Sequence, residues 1–126
     1  KTNSFGATRA RLQAFGLDGQ FSAILTASVG LARQASSETS QSAAIAGSLG
    51  PLGDRLAPFG RLSPARAEAA YAEAIDALCT QGVDALLLET HLDLAELLTR
   101  HSCFDHVFFG SSGARAYSFR ASSTTR

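Results

Sequence analysis

Glu89 ends the apolar run of VDALLLET, Val83 to Thr90, and it is the residue most able to do chemistry. An ionised carboxylate left unpaired inside a sheet is costly or takes up a proton. At the end of a strand it can instead face a cavity. The plainer alternative is a solvated or salt-bridged loop residue. Asn3, in TNSFG, offers both a donor and an acceptor at a similar place. Its alternative is a turn residue that satisfies its own loop. Thr2, Ser4 and Thr90 are weaker candidates. The stretch GSLGPLG spaces Gly47, Gly50 and Gly53 three apart, and backbone N–H groups in such a loop can approach a carboxylate. No Gly-Lys-Ser/Thr follows, so it is not a nucleotide-binding P-loop, and tight turns around Pro51 account for it equally.

The remaining reactive side chains carry less. Cys79 falls beside a helical apolar stripe and reads as a small core residue. His101, Cys103 and His106 have the chemistry of zinc ligands, but their spacing matches no zinc pattern. His91 follows Glu89 closely and reads first as a loop histidine. Arg9, Arg11 and Arg33 read as solvated charges.

Elements must position these groups. Asp18 to Ser36 reads as a helix, N-capped by Asp18, with Phe21, Ile24, Leu25, Ser28, Leu31, Ala32 and Ala35 on one face. A second helix opens with Ser63 as cap and Pro64 in its first turn. It carries Ala67, Ala70, Tyr71, Ala74, Ile75 and Leu78, and stops at Gly82. A third begins near Asp93 with Leu94, Leu97 and Leu98. The runs AAIAGSLG and VDALLLET are short and apolar without strict alternation, as strands covered on both faces are. KTNSFG reads as the tail of an earlier strand. Repeated strand–helix units predict an α/β fold, either a doubly wound sheet or part of a (β/α)8 TIM barrel. In both, ligands gather at the carboxyl ends of the strands.

The 126 residues suit one ordinary domain. Eleven basic and eleven acidic residues leave no electrostatic footprint for nucleic acid or an anionic membrane. No apolar run approaches the roughly 20 residues of a membrane span. Two cysteines make no disulfide framework, so a reducing, cytoplasmic setting is expected. Methionine is absent and the chain opens KTNSFGATRAR, which reads as an internal piece of a longer domain. Residues 101–126 are rich in Ser, Arg and Thr and lose the helical stripe. HVFF could form a short strand, and the rest reads as an irregular tail.

Three separated blocks resemble the homocysteine S-methyltransferase domain family. TNSFGATRARLQAFGL is similar to its TNTFGA…RL…GL block, AGSLGPLG…LAPFGRLS to its AGS-GP-G strand and loop, and GVDALLLETHLDLAE to its GVD-LLLET strand and following helix. The blocks keep order and spacing from Thr2 to Leu98. The resemblance implies a (β/α)8 barrel of which residues 1–100 form about strands 2–4 with their helices. It implies methyl transfer to the thiolate of homocysteine, giving methionine. The methyl donor stays open among methyltetrahydrofolate with cobalamin, betaine, S-methylmethionine and S-adenosylmethionine. It also implies that Glu89 holds the amino group of homocysteine, with Asn3 and Ser48 lining the same pocket.

The resemblance further implies a zinc ion held by three cysteines, which keeps the substrate sulfur deprotonated. Those cysteines belong to later strands of the family, one after an Asn and two in a GGCC turn, and neither motif occurs here. The first strand with its Asp-Gly turn is also missing, Leu25 stands where the family usually has Asn, and HSCFDHVFFG does not continue the family's pattern. An inactive fragment of such an enzyme is therefore expected. The alternative from another class is a non-catalytic α/β domain that binds a small molecule or a partner.

Overall fold

Side-chain hydroxyls, rather than a continuous ladder, fasten the start of the chain to its sheet. A computed structural model describes residues 1–39, 43–90, 96, 106–109 and 115–118. Four helical and four strand segments lie within them: α1 (Arg9–Gln13), a 3-10 turn (Asp18–Gln20), α2 (Phe21–Ser37), β1 (Ala46–Leu49), α3 (Pro64–Thr80), β2 (Ala85–Leu88), β3 (His106–Phe109) and β4 (Arg115–Ser118).

The central unit is β1–α3–β2. The two strands pair in parallel, Ala46 opposite Ala85 through Leu49 opposite Leu88, so α3 serves as the crossover. Ser63 caps α3 by accepting from the Arg66 N–H at 3.3 Å, with Pro64 in the first turn. Ala67, Tyr71, Ala74, Ile75 and Leu78 are buried, as the apolar spacing predicts, and Ala70 packs against them. Leu78 meets the sheet closely. A Cβ on Gly47 would stand 3.0 Å from its Cδ1, which leaves room for little beyond glycine there.

On α2 the buried residues are Phe21, Leu25, Ser28 and Val29. Leu31, expected on that face, is 65% exposed. Six positions past Leu25, at 3.6 residues per turn, it stands about 120° away around the helix. Ala35, in the last turn of α2, is exposed although it stands only about 20° from the buried Ser28, and Val29 completes the face instead. The short α1 was not legible as a helix, because five residues bury only Leu12 and give periodicity nothing to act on.

Two expectations about strands are corrected. KTNSFG forms no strand. It runs beside β1, with backbone bonds from Thr2 N to the Ala46 carbonyl (2.8 Å) and from Gly50 N to the Phe5 carbonyl (2.9 Å). Between them, the side chains of Thr2 and Ser4 take the bonds that a strand backbone would make. The sheet is also mixed rather than all parallel. β4 pairs antiparallel with β2, and β3 antiparallel with β4, in the order β1-β2-β4-β3. Residues 110–114 are too few for the dozen or so that a parallel crossover requires, so β3 and β4 can only meet antiparallel. HVFF is β3, and both strands lie in the segment expected to be irregular. Of the expected third helix, only Glu96 is described, with helical backbone; Asp93, Leu94, Leu97 and Leu98 lie outside the described residues.

The arginines are not simply solvated. Arg9 binds Glu73 on α3 (Nε–Oε1 2.8 Å) and lies over the Phe21 ring. Arg11 donates to the Pro51 carbonyl at 3.0 Å. Arg33 on α2 donates to the carbonyls of Gln81 and Gly82 at the end of α3, at 3.1 Å to Gly82. Gly82 ends the helix with φ +76, a conformation that disfavours a Cβ. A Cβ there would also stand 2.8 Å from Arg33 Nη2. Gly82→Ala is expected to lower stability by about 1–2 kcal/mol, seen as a reduced urea midpoint at unchanged slope.

Candidate functional site

Strands β1 and β2 end side by side, and their carboxyl ends carry Ser48 and Glu89. Glu89 is the first residue past β2. Its N–H still donates to the Leu49 carbonyl at 3.1 Å, so its backbone is fixed to β1. Thr90 follows with φ 60. A β-branched residue rarely adopts that conformation, at a cost of about 1 kcal/mol.

The carboxyl group has three bonds from two partners. Ser48 Oγ donates to Oε1, and Lys1 Nζ lies 2.8 Å from Oε1 and 2.7 Å from Oε2. Ser48 is fully buried, while the Glu89 side chain is 19% exposed and that of Lys1 54%. Burial pushes the Glu89 carboxyl up. The hydrogen bonds from Lys1 and Ser48, with the Lys1 charge, outweigh it and hold the group below its ordinary value. Glu89 is therefore an anion at neutral pH, aimed at an ammonium group.

Ser48 is itself held from the other side. Its N–H donates to Thr2 Oγ1 at 2.9 Å, and its carbonyl accepts from Ser4 Oγ at 2.7 Å. Ser4 has one hydroxyl proton and spends it on that carbonyl. The 2.7 Å contact between Thr2 Oγ1 and Ser4 Oγ must then be a donation from Thr2. All polar groups of Ser48 are thus engaged, and its hydroxyl proton is directed at Glu89. Thr2 and Ser4, only 2% and 0% exposed, are the residues that sequence reasoning undervalued. Their signal was alternation around Asn3, which shows two small hydroxyl side chains turned the same way.

The three expected site residues are not all brought together. Glu89 and Ser48 touch. Asn3 lies in the same edge segment but is exposed and makes no hydrogen bond to a described residue.

A second carboxylate sits at the same end of the sheet. Glu96 is 5% exposed, and its Oε1 accepts from the Leu52 N–H at 2.8 Å and from the Tyr71 hydroxyl. Tyr71 OH also lies 3.3 Å from the Gly50 carbonyl. The glycine-rich loop therefore does receive a carboxylate on a backbone N–H, and that carboxylate is the chain's own. Its glycines serve packing as well. A Cβ on Gly50 would stand 2.5 Å from the Phe5 ring, and Gly53 has φ +96.

Other features lie apart from this rim. A cleft of about 400 Å³, lined by Arg33, Ser36, Ile45 and Asp84 among others, sits where β1 and β2 begin, at the opposite end. Asp84 there is already engaged, accepting from Ile45 N at 2.7 Å. Cys79 is half-buried on α3, and burial, then the nearby Asp76 charge, pushes its thiol up. Among the described residues, no group of three or more His, Cys, Asp or Glu is placed to hold a metal. His91, His101 and Cys103 lie outside the described residues, and of His106 only the β3 backbone is described. No described helix is long and apolar enough to cross a membrane.

The comparisons with known proteins point one way. The family model for homocysteine S-methyltransferase matches residues 1–109, most of the chain and as far as the end of β3. No curated protein matches.

Proposed function

Since the chain belongs to the homocysteine S-methyltransferase family, we propose that its Ser48–Glu89 rim is the amino-acid end of a homocysteine site. Glu89 takes the α-ammonium group, and Ser48 fixes the carboxylate that receives it. One observation carries this reading. The Glu89 carboxylate already holds an ammonium, that of Lys1, on both oxygens at 2.8 and 2.7 Å. A charge-assisted contact of this type is what an amino acid's positive end would make. Asn3, exposed in the neighbouring segment, lines the same pocket in this reading.

The β1–α3–β2 unit fits two strands of a (β/α)8 barrel with their crossover helix, and the rim lies at the end where such barrels bind ligands. Residues 1–100 are read as the barrel part, and 101–126, expected as an irregular tail, as the segment that adds β3 and β4 beside β2. The chemistry of the family is methyl transfer to a thiolate. A free thiol ionises only near pH 8.5, so a zinc ion that binds the sulfur makes the nucleophile available at neutral pH. The described residues do not fit such an ion. Cys79, half-buried against the core with a raised thiol pKa, belongs to no group of three His, Cys, Asp or Glu among the described residues. No transfer step is therefore derived for this chain, and the methyl donor stays open. The activity we assign it is recognition of homocysteine, with methyl transfer requiring metal ligands that the described residues do not supply.

Calorimetric titration with homocysteine and with N-acetylhomocysteine tests the proposal. Saturable binding of homocysteine alone is expected, because acetylation removes the positive charge that Glu89 recognises. Equal binding of both, or of neither, overturns it.

A further inference from the structure

The Lys1–Glu89 pair has a second property, and its use depends on the reading of Glu89 just given. Lys1 carries its ammonium on a flexible four-carbon stem, and its side chain is 54% exposed. Glu89 is fixed: its backbone is bonded to Leu49 and its carboxylate to the buried Ser48 hydroxyl. One partner is thus rigid and the other free to move. An exposed ion pair of this kind contributes little to stability and opens readily. The two charges are also those an α-amino acid presents, in reverse: an ammonium and a carboxylate close together.

We infer that Lys1 is a specificity-determining residue that transfers from Glu89 to the α-carboxylate of the bound amino acid. The incoming ammonium replaces Lys1 Nζ on Glu89, and the displaced Lys1 pairs with the carboxylate beside it. Each charge leaves one partner and gains another of the same sign, so the site remains neutral overall. A simple amine offers only half of this exchange. It displaces Lys1 and leaves that ammonium facing a second positive charge. The open ion pair therefore selects zwitterions against amines of the same size.

The test compares homocysteine with homocysteamine, the same molecule without its carboxylate, by calorimetry on the whole chain. Wild-type protein is expected to prefer homocysteine about tenfold. Lys1→Met should bring the ratio near one, because homocysteine loses its carboxylate partner while homocysteamine is freed of the facing charge, and Lys1→Arg should restore most of the preference. An unchanged ratio in Lys1→Met overturns the inference. So does tighter binding of both ligands by one common factor, which would make Lys1 merely an internal competitor. If wild-type protein binds neither ligand, the reading of Glu89 fails first and the inference with it. If Glu89→Gln removes binding while Lys1→Met leaves the ratio intact, only the inference fails.

Discussion

Glu89→Gln should weaken homocysteine binding about a hundredfold, close to 2.7 kcal/mol, while the fold stays intact. The substitution keeps size and shape. Its side-chain oxygen can still accept from Ser48 Oγ, so the brace that orients the group survives. What disappears is the charge, and with it the attraction for an ammonium in a partly buried place. The stability cost should be small, because the ion pair lost with Lys1 is largely exposed. A circular dichroism melt close to wild type together with the loss of binding separates recognition from folding. An affinity within threefold of wild type would contradict the role given to Glu89.

Glu96→Ala should have the opposite profile, with a large stability effect. Removing its carboxylate deprives the Leu52 N–H and the Tyr71 hydroxyl of a buried acceptor. The Leu52 N–H left without its acceptor costs about 1–3 kcal/mol, the Tyr71 hydroxyl falls back on the longer contact to the Gly50 carbonyl, and the space vacated adds to the loss. The expected loss is about 3 kcal/mol, a fall of roughly 10 °C or more in the melting midpoint of a chain this size. Glu96→Gln retains an acceptor oxygen and should recover most of the difference. A melting midpoint for Glu96→Ala within 2 °C of wild type would show that the loop after β1 is held by other contacts.

The contrast between these carboxylates shows what could be read in the sequence. Glu89 was legible because it interrupts an apolar run, and ALLL can be buried only if the acid lies at its end. The helix α3 was legible because Ser63, Pro64, the spacing from Ala67 to Leu78, and Gly82 all act locally. Glu96 was not, since its importance comes from Leu52 and Tyr71, 44 and 25 residues away in sequence. Thr2 and Ser4 were missed for the same reason. Each is an ordinary small polar residue until Ser48 is folded against it. The face of α2 was read too broadly at Leu31 and Ala35 and without Val29, because periodicity gives an angle and only the packing partner sets its limits. HVFF was readable as a strand, but β4 and its pairing with β2 and β3 were not, as the partner of a strand is not encoded in its own short pattern.

The account stands on the Glu89 carboxylate as a receptor for an amino acid's ammonium. Carbon-13 NMR of the labelled glutamate carboxyl groups follows that group itself, across pH and during a homocysteine titration. The Glu89 signal should titrate below the ordinary glutamate value, and at neutral pH it should move progressively to a new position as homocysteine saturates. A signal that titrates normally and stays fixed at saturating homocysteine would contradict the central claim.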